Sequence, residues 1–514
     1  MTFTNLLVFF LSIQLLHGLG TWRLYAKAGF KSWQAFVPIY NAFILMRIIN
    51  RPWYWVPLLF LPVINLIMLP VTWVETCRSF GRNSKLDTFL VVVTLGLYLF
   101  VINYSTDIRY VENRSLHAKS TSGDWVSSIL FAVVAATFVH TYFFQPFVIP
   151  TSSLEKTLLV GDFLIVSKVH YGARIPMTTI AAPMVHDTLP LLNVKSYLPK
   201  LELPYMRIPG FEKIERNDIV VFNWPVDTMM NMYYTDKYYY KPIDKKTNYV
   251  KRCVAVAGDT LEVIDGYVHI NGKRNVLPDR AQLQFSYLVQ PKSYQFDAKN
   301  MRELYGITDP FGIINRQNMY KFMAISDGII GDFKNNPNVE KLVRDIDEPG
   351  KAASGIFPND NRYPWNYDYF GPLYVPKAGQ TIALSLDNLP LYERVIRVYE
   401  NNDLKIEGNT ILINGKVANK YTFNKDYYWM MGDNRHNSQD ARVWGFVPFD
   451  HVVGKPVFVW MSWDTNGSGF GKIRWERLFT TVGGSGKPVS YLIPFLAVIL
   501  GWWGYRRWKH RKSI

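Results

Sequence analysis

The sequence predicts a mostly β extramembrane domain with large insertions, joined to α-helical transmembrane segments. Three observations predict this class. Apolar runs long enough to cross a bilayer lie towards both ends of the 514-residue chain. Between them, from residue 147 to residue 482, short alternating runs are separated by Gly, Asp and Asn. No strand–GxGxxG–helix and no GxxxxGK motif occurs, so neither a Rossmann-type domain nor a nucleotide cofactor is expected.

The composition excludes several classes of protein. Hydrophobic residues make up 49% of the chain and charged residues 19%, which excludes a disordered chain and a collagen. Cys77 and Cys253 cannot build a disulfide framework, and neither belongs to a CxxC metal-binding pair. The net charge of +16 could indicate nucleic acid. In a membrane protein, however, it more often indicates cytoplasmic flanks and an anionic lipid surface.

Five apolar segments are candidate membrane spans. They cover residues 5–19, 53–74, 88–104, 125–144 and 489–505. The first segment lacks a basic start and a small-residue cleavage site, which favours a span over a cleaved signal peptide. Prolines interrupt the second, and neighbouring helices are expected to satisfy the carbonyl groups that these prolines leave free.

The basic residues predict how the chain crosses the membrane. The tail at 506–514 is rich in Arg and Lys and is therefore expected in the cytoplasm, which places the domain at 145–482 on the outer face. The loop at 22–52 is then cytoplasmic, in agreement with its basic residues. The loop after the second candidate span contains Arg78 and Arg82 and faces outward in this scheme, against the positive-inside rule.

The outer domain contains short predicted strands and two longer interruptions. The strands are predicted at 164–168, 219–223, 250–256, 261–264, 267–270, 411–413 and 457–460. The dipeptides Asp265-Gly266, Asn271-Gly272 and Asn414-Gly415 predict tight turns between strands. Residues at about 227–246 and 278–361 break this rhythm and are predicted to be insertions on a compact core.

Three short blocks are candidates for the chemical site. The first, at 150–158 (PTSSLEKTL), closely follows the fourth candidate span. The second contains Lys251 in an otherwise apolar strand. Burial lowers the pKa of a lysine, and a neutral amine beside a serine is a competent general base. The third, at 432–442 (GDNRHNSQDAR), suits a rigid, hydrogen-bonded loop. No GxSxG elbow and no HExxH motif occurs, and neither a metal nor a cofactor is expected.

Each block by itself has an ordinary structural interpretation. Residues 152–155 also fit a helix capping box, and Lys251 alone fits a strand-edge lysine whose amine reaches water. Ser438 and Asp440 alone fit a turn. A Ser-His-Asp triad through His436 or His451 is disfavoured, because no strand-turn elbow presents a serine.

In this order behind a membrane span, the three blocks resemble type I signal peptidase, the Ser/Lys serine protease that removes signal peptides from exported proteins. The family pattern P-S-x-S-M-x-P-T-L corresponds to P-T-S-S-L-E-K-T-L here, and GDNRxxSxDSR corresponds to GDNRHNSQDAR. Thr151, Leu154, Lys156 and Ala441 depart from these patterns, and Ser152 stands where the family has Gly. None of these changes removes a reacting atom, and Thr151 keeps a hydroxyl. Residues 357–379 are also similar to a stretch in large signal peptidases of one bacterial branch.

The resemblance implies a role for each matched residue. Ser153 takes the position of the nucleophile and Lys251 that of the general base. Thr151 takes the position of an oxyanion-hole serine and is expected to act with the Ser153 backbone N–H. Ser438 takes the position of the serine that orients the lysine. The remaining matches take structural positions near the site: Asp433, Asn434, Arg435, Asp440 and Arg442.

The resemblance also implies a domain order and a location. Residues 1–124 form an N-terminal membrane module, 125–144 and 489–505 are transmembrane helices, 145–482 is the peptidase domain and 506–514 is a cytoplasmic tail. The implied protein is a multi-pass enzyme of the bacterial inner membrane with a periplasmic catalytic domain. It acts on the signal peptides of secretory precursors, in contact with lipid and close to the translocon, without nucleic acid.

Two alternatives to this function remain. Self-cleaving repressors share the Ser/Lys chemistry and the fold, but they are soluble and contain a DNA-binding domain. The second alternative is a catalytically inactive membrane scaffold whose β-domain binds envelope partners. Such a scaffold has no need of an intact Ser153, Lys251 and Ser438.

Overall fold

The computed structural model describes residues 3–116, 120–229, 238–293, 295–314 and 318–512. The chain forms two compact units, each assembled from separate stretches. The first comprises Met1–Phe143, Arg174–Ile208 and Met229–Lys246. The second comprises Phe144–Ala173, Pro209–Thr228 and Thr247–Ile514.

The first unit is mainly helical. Its described α-helices are α1 (Phe3–Lys27), α2 (Tyr40–Ile48), α3 (Trp55–Phe60), α4 (Asn65–Ser79), α5 (Lys85–Val93), α6 (Tyr98–Tyr104) and α7 (Thr121–Tyr142). Among the helices that the structure describes, α1 and α7 are long and apolar enough to cross a membrane. These two helices contain most of the first and fourth candidate spans.

The second and third candidate spans are not single helices. Residues 53–74 are divided between α3 and α4, and Pro62 and Val63 lie in the break. Residues 88–104 are divided between α5 and α6, whose axes differ by 119°. At that bend Leu95 and Gly96 have φ angles of 52° and 86°, outside the helical region. Composition predicted the apolar length of both segments, but it contains no information on where the chain turns back.

Residues 174–208 of the first unit form an irregular antiparallel arm. Isolated bridges join Arg174 to Arg207 and Ala181 to Tyr197. The side chains of Ala181 and Tyr197 pack in one buried cluster with Val63, at the α3–α4 break. The arm lies within residues 145–482, the predicted peptidase domain, but the structure groups it with the N-terminal helices.

The second unit is built mainly of strands. In its first part they are β1 (Phe144–Val148), β2 (Asp162–Ser167), β3 (Ile219–Asn223), β4 (Asn248–Ala255), β5 (Thr260–Ile264), β6 (Tyr267–Ile270), β7 (Lys273–Arg274), β8 (Gln284–Pro291), β9 (Phe311–Ile313), β10 (Tyr320–Ser326) and β11 (Val339–Arg344). Later strands are β12 (Phe370–Tyr374), β13 (Thr381–Ala383), β14 (Leu404–Glu407), β15 (Thr410–Ile413), β16 (Lys416–Val417), β17 (Lys420–Thr422), β18 (Tyr427–Met431), β19 (Val447–Pro448), β20 (Val452–Ser462) and β21 (Thr480–Thr481). Its α-helices are α8 (Ala298–Tyr305), α9 (Ile330–Lys334), α10 (Leu389–Arg394), α11 (Ala441–Trp444) and α12 (Leu492–Lys512).

The central sheet of this unit contains eight strands. Their order is β1-β2-β20-β3-β4-β18-β19, and β21 pairs with β20. All of these pairs are antiparallel. Leu164, Val221 and Val459 are buried in one apolar cluster beside the sheet. The first block follows β1, Lys251 lies on β4, and the third block follows β18, so the sheet places all three blocks on or directly after defined strands.

The strand and turn predictions are confirmed. All seven predicted strands overlap observed ones. Asp265-Gly266 joins β5 to β6, and both residues have positive φ angles, 51° and 72°. Asn271-Gly272, between β6 and β7, and Asn414-Gly415, between β15 and β16, have the same conformation. Two-residue turns of this kind match the twist of the flanking strands, and Asn, Asp and Gly adopt them most easily.

The long insertion has a sheet and a core of its own. Strands in the order β11-β8-β10-β9 form a four-stranded antiparallel sheet. Phe285, Phe322 and Phe333 are fully buried in its apolar cluster. The smaller sheets of the unit are β12-β5-β6-β7, β14-β15-β16 and β13-β17.

The fifth candidate span, at 489–505, lies mostly within α12. This helix continues into the basic tail, so apolar and charged residues share one element. It is not among the described helices that have the length and apolar character of a span.

Candidate active site

Ser153 lies in a short 3-10 helix, Ser152–Leu154, that follows β1. Its side chain is buried, with 6% of the residue exposed. The neighbouring Leu154 and Leu158 lie in the apolar cluster beside the central sheet. These two leucines fix the loop to the core, so the position of Ser153 is set by the fold.

Lys251 approaches Ser153 from the central strand β4. Its Nζ lies 2.6 Å from Ser153 Oγ, within hydrogen-bond distance, and 5% of the residue is exposed. Burial lowers the pKa of Lys251 to about 8, although the carboxylates of Asp440 and Asp433 oppose this shift. A lysine with this pKa is neutral in a useful fraction of molecules near pH 8, so it can accept the proton of a serine hydroxyl.

Arg252, the next residue on β4, binds a buried carboxylate. Its Nε and Nη2 donate to the two oxygens of Asp433 at 2.7 and 2.6 Å. Asp433 also accepts a hydrogen bond from Thr157 Oγ1 at 2.7 Å. Burial alone would raise the pKa of Asp433, but Arg252 outweighs that effect and keeps the pKa below its usual range. Asp433 therefore joins β4, the third block and the segment after Ser153.

Asp440 and Arg442 form a second buried ion pair. Arg442 Nε and Nη2 donate to the two Asp440 oxygens at 2.9 and 2.7 Å. Asp440 also accepts from the Gly432 N–H at 3.1 Å, and Arg442 donates to the Arg435 carbonyl at 2.6 Å. Arg435 is itself buried and donates to the Gly266 carbonyl at 3.1 Å. The third block is thus held by internal charged hydrogen bonds, as its composition indicated.

Ser438 lies beside the site with its hydroxyl unengaged. The residue is 8% exposed, and in the part of the chain that the structure describes its Oγ has no hydrogen-bond partner. A Cβ added at Gly432 would lie 2.3 Å from Ser438 Oγ and 2.6 Å from the Ser153 carbonyl oxygen. A side chain at Gly432 would therefore clash with both groups. Glycine at this position allows Ser438 Oγ and the Ser153 carbonyl to approach the backbone of residue 432 closely.

Thr151 precedes the 3-10 helix in an extended conformation, with φ −132° and ψ 155°. Its side chain is exposed and makes no capping hydrogen bond to the helix. The hydroxyl is therefore available to a ligand next to Ser153.

The histidines of the domain have other partners. His436 Nδ1 accepts from the Ser286 N–H at 2.9 Å, and its Nε2 lies 2.9 Å from Asp368. His451 Nδ1 lies 2.6 Å from Asp450. Since the hydroxyl of Ser153 contacts Lys251, the structure does not build a Ser-His-Asp triad on Ser153.

Cys253 lies on β4, two residues after Lys251. Cys253 is completely buried next to the site, and burial raises the pKa of its thiol well above the usual value. An uncharged, buried thiol is a packing group. Among the described residues, no cluster of three His, Cys, Asp or Glu side chains has the arrangement of a metal site.

Sequence reasoning missed Asp309, and it missed that Thr157 is a partner of the predicted site residue Asp433. Ser152 Oγ donates to Asp309 Oδ1 at 2.6 Å, so this hydroxyl points to the insertion. Thr157 donates to Asp433, as described above. Asp309 lies far from both blocks in the sequence, and no local pattern marks it.

Two protein-family models match parts of the chain. The family model described as "Signal peptidase, peptidase S26" matches residues 122–308 and 377–463, together more than half of the chain. The chain belongs to the S26 signal peptidase family. This family member is accordingly a serine peptidase with a strand-rich catalytic domain and apolar helices able to span a membrane. A second model, "Family of unknown function (DUF5684)", matches residues 33–113.

Curated relatives of this family member have low identity and extensive coverage. The signal peptidase I of Buchnera aphidicola (subsp. Acyrthosiphon pisum) is 24% identical over 74% of this chain and 93% of its own length. That of Haemophilus influenzae is 23% identical over 72% of this chain and 79% of its own length. That of Helicobacter pylori (strain 26695) is 24% identical over 73% of this chain and 97% of its own length.

Proposed function

We propose that this protein is a membrane-bound serine endopeptidase that removes N-terminal signal peptides from exported precursors, with Ser153 as nucleophile and Lys251 as general base. The observation that carries this proposal is the buried contact of 2.6 Å between Lys251 Nζ and Ser153 Oγ. The pKa of about 8 for Lys251 supports the base role, because desolvation disfavours the ammonium form.

The proposed reaction is acyl transfer in two halves. Neutral Lys251 takes the proton from Ser153 Oγ as this oxygen attacks the scissile carbonyl carbon. When the tetrahedral intermediate collapses, the C–N bond breaks and Lys251 gives the proton to the leaving amine. Lys251 then takes a proton from water as the water oxygen attacks the ester carbonyl. When this second intermediate collapses, the C–O bond to Ser153 breaks, the acid product leaves, and Lys251 returns the proton to Ser153 Oγ.

Two donors are proposed for the oxyanion. The backbone N–H of Ser153 lies in the first turn of a 3-10 helix, where N–H groups have no partner within the helix. The exposed hydroxyl of Thr151 is the second donor. Each such donor is worth on the order of 10²–10³ in rate.

Ser438 is proposed to orient the lysine. A buried hydroxyl without a hydrogen bond is unfavourable by about 1–3 kcal/mol, so a nearby acceptor is expected to capture it. Neutral Lys251 offers a lone pair, and a bond from Ser438 would fix the amine towards Ser153. The hydroxyl of Ser438 is buried without a partner in the described structure, which leaves it free for this role.

The substrate is proposed to bind as an extended strand along β1. This strand lies at the edge of the central sheet, so the backbone groups on its outer side can pair with a peptide. Its exposed residues include Phe144 and Val148, which are 42% and 49% exposed. The small side chains of an A-x-A cleavage site would fit shallow pockets beside this strand.

The first unit supports a periplasmic location for the catalytic unit. Glu75, at the end of α4, binds Arg51, Arg78 and Arg114 at 2.8, 3.2 and 2.6 Å. Arg51 precedes α3 and Arg114 precedes α7. The α3–α4 pair therefore begins and ends at the same end of the helical unit, the end at which α7 begins.

Two further contacts relate the ends of α1, α6 and α7 to the α3–α4 pair. Lys27, at the end of α1, donates to the Ser105 carbonyl just after α6 at 2.6 Å. Tyr142, at the opposite end of α7, contacts the Pro62 carbonyl in the α3–α4 break at 3.4 Å. We therefore propose that α1 and α7 cross the membrane, while α3–α4 and α5–α6 enter it and return. Arg78 and Arg82 then lie in the cytoplasm, which satisfies the positive-inside rule.

Chemical labelling tests this topology. In a cysteine-free background, Arg82→Cys should react with a membrane-impermeant maleimide only after permeabilisation of spheroplasts. Leu191→Cys, on the exposed end of the 174–208 arm, should react from outside. Labelling of Arg82→Cys in intact spheroplasts would contradict the return of α3–α4. On this orientation the active site meets precursors at the outer lipid surface, close to the translocon.

Precursor processing tests the chemistry. Lys251→Arg should not cleave a purified secretory precursor, because a guanidinium does not release its proton at working pH. Lys455→Arg is the matched control: this lysine lies on β20 and binds Glu212 at 2.8 Å, a contact that arginine can also make. Cleavage by Lys251→Arg at the rate of the control would remove the lysine from the mechanism. An inactive wild-type protein would favour the scaffold alternative.

A further inference from the structure

A strip of the long insertion, residues 306–309, contacts the nucleophile loop on both sides of Ser153. Before Ser153, the hydroxyl of Ser152 donates to Asp309 Oδ1 at 2.6 Å. After it, the Lys156 amine donates to the Gly306 carbonyl, and Thr308 Oγ1 lies 3.4 Å from Glu155 Oε1. The loop is therefore fixed to the insertion at each end of its 3-10 helix.

Asp309 also binds the third block. Asn434 Nδ2 donates to Asp309 Oδ2 at 2.8 Å, and Asn437 Nδ2 donates to Oδ1 at 3.0 Å. The same Asn437 amide donates to Ser152 Oγ at 3.1 Å, and the backbone N–H of Asn434 donates to the Ser153 carbonyl at 3.1 Å. One carboxylate thus joins the loop of the nucleophile to the loop that contains Ser438.

The environment of Asp309 makes these bonds strong. The residue is 7% exposed, and its carboxylate accepts hydrogen bonds from Ser152, Asn434 and Asn437. Hydrogen bonds to an ionised acceptor are roughly twice as strong as neutral ones. Loss of the carboxylate would leave the Ser152 hydroxyl without its acceptor and would remove one of the two acceptors of each asparagine amide.

The position of Asp309 in the sequence indicates that this link is an addition to the family core. The family model matches residues up to 308 and resumes at 377, so Asp309 is the first residue outside the match. Asp368, which binds His436 of the third block at 2.9 Å, lies in the same unmatched stretch. Two carboxylates from this stretch therefore hold the third block.

We propose that Asp309 is a positioning residue for the peptidase reaction, and that through it the insertion fixes Ser153 relative to Lys251. Asp309 acts through Ser152 and the two asparagines and does not touch the reacting atoms. Without it the 3-10 helix loses its tie to the third block, and Ser153 Oγ departs from the lysine amine. The proposal rests on the assignment of Ser153 and Lys251 given above.

The test is steady-state kinetics on full-length protein in detergent, with a fluorogenic peptide that spans a signal-peptide cleavage site. Asp309→Ala should lower kcat by about 10- to 100-fold, because a displacement on the order of 1 Å has that effect on an aligned nucleophile. KM should stay unchanged, since the strand that pairs with the substrate is intact. Activity should still fall at acidic pH with about the same apparent pKa, because burial, the largest cause of the lowered pKa of Lys251, is retained. Asp332→Asn, an exposed carboxylate on α9 in the same insertion, is the control and should match the wild type.

Two further variants separate positioning from general damage to the fold. Asp309→Asn keeps the size of the side chain but places an amide N–H₂ group against a donating asparagine, so kcat should fall. Its thermal stability should decrease less than that of Asp309→Ala. Ser152→Ala should lower kcat by about tenfold at most, and the double variant with Asp309→Ala should be no slower than Asp309→Ala alone. This non-additivity is expected only if the two side chains act through one contact.

The outcomes are distinct. Wild-type kcat in Asp309→Asn, or additive losses in the double variant, would overturn the positioning role. A change in KM or in the pH profile with kcat unchanged would also overturn it. Measurement of Lys251→Arg in parallel keeps the failures apart: if that variant is active, the proposed mechanism fails, whereas a dead Lys251→Arg beside an unaffected Asp309→Asn refutes this inference alone.

Discussion

The pH dependence of the peptidase follows from the burial of Lys251. In the proposed mechanism Lys251 must be neutral to accept the proton of Ser153, and burial lowers its pKa to about 8, against 10.5 for an exposed lysine. Activity should therefore rise with pH and level off above pH 8. If the base were an exposed lysine, this rise in activity would occur more than two pH units higher.

The size of the effect is set by the fraction of neutral amine. With an apparent pKa of about 8, kcat/KM should fall about tenfold for each pH unit below it, and about 100-fold at pH 6. The limb should appear in kcat/KM, which reports the free enzyme. A bound substrate that covers the amine further would move the limb in kcat to lower pH, because desolvation disfavours the charged form.

The assay is cleavage of the fluorogenic peptide at substrate concentrations well below KM, from pH 5.5 to 10. Thermal stability is measured at each pH, so that loss of folded protein is not counted as loss of activity. An acidic limb with an apparent pKa near 6.5 would indicate a histidine as the base. A limb near 10.5 would indicate an exposed lysine, and either result would refute the role given to buried Lys251.

Further variants test the individual parts of the site. Lys251→Met should be inactive and more stable than the wild type below pH 8, by on the order of 3 kcal/mol, because the folded protein no longer buries an ammonium whose pKa falls from 10.5 to about 8. This advantage should disappear as the pH rises from 8 to 10.5, and unfolding by denaturant at several pH values measures it. Thr151→Val should lower kcat by about 10²–10³, whereas Thr151→Ser should retain activity, since only the hydroxyl is needed. Ser438→Ala should retain measurable cleavage with a lower kcat, because the nucleophile and base remain; complete loss would indicate that Ser438 has a larger role than orientation.

Much of the second unit could be predicted from local sequence. The turn at Asp265-Gly266 and its two counterparts require positive φ angles, and Asn, Asp and Gly mark such positions directly. The central strands are short runs whose alternation and boundaries are local properties. The family resemblance added what local patterns lack, the pairing of Ser153 with Lys251, which are 98 residues apart.

Long-range partners outside that resemblance could not be predicted. Ser152 and Asp309 are 157 residues apart, and the contact depends on how the insertion sheet lies against the third block. No periodicity in 278–361 indicates that one aspartate turns back to the nucleophile loop. By sequence alone Asp309 is an ordinary loop residue, and only the structure shows that it contacts Ser152.

The membrane module shows a different limit of sequence reasoning. Hydropathy found the apolar segments, but a helix pair that enters a bilayer and returns has the same composition as a span. The position of Glu75 among Arg51, Arg78 and Arg114 is a tertiary feature, and it places both ends of α3–α4 together. In the proposed topology this pair is not a crossing, and the conflict with the positive-inside rule at Arg78 does not arise.

The central claim is that Ser153 is the nucleophile, and one comparison of two adjacent serines tests it most directly. Wild-type, Ser152→Ala and Ser153→Ala proteins are incubated with a secretory precursor, and the products are mapped by mass spectrometry. We predict that the wild type and Ser152→Ala cut at the same position after a small residue, the latter more slowly, and that folded Ser153→Ala gives no cut. Cleavage by Ser153→Ala at that position, or an inactive Ser152→Ala, would contradict the assignment.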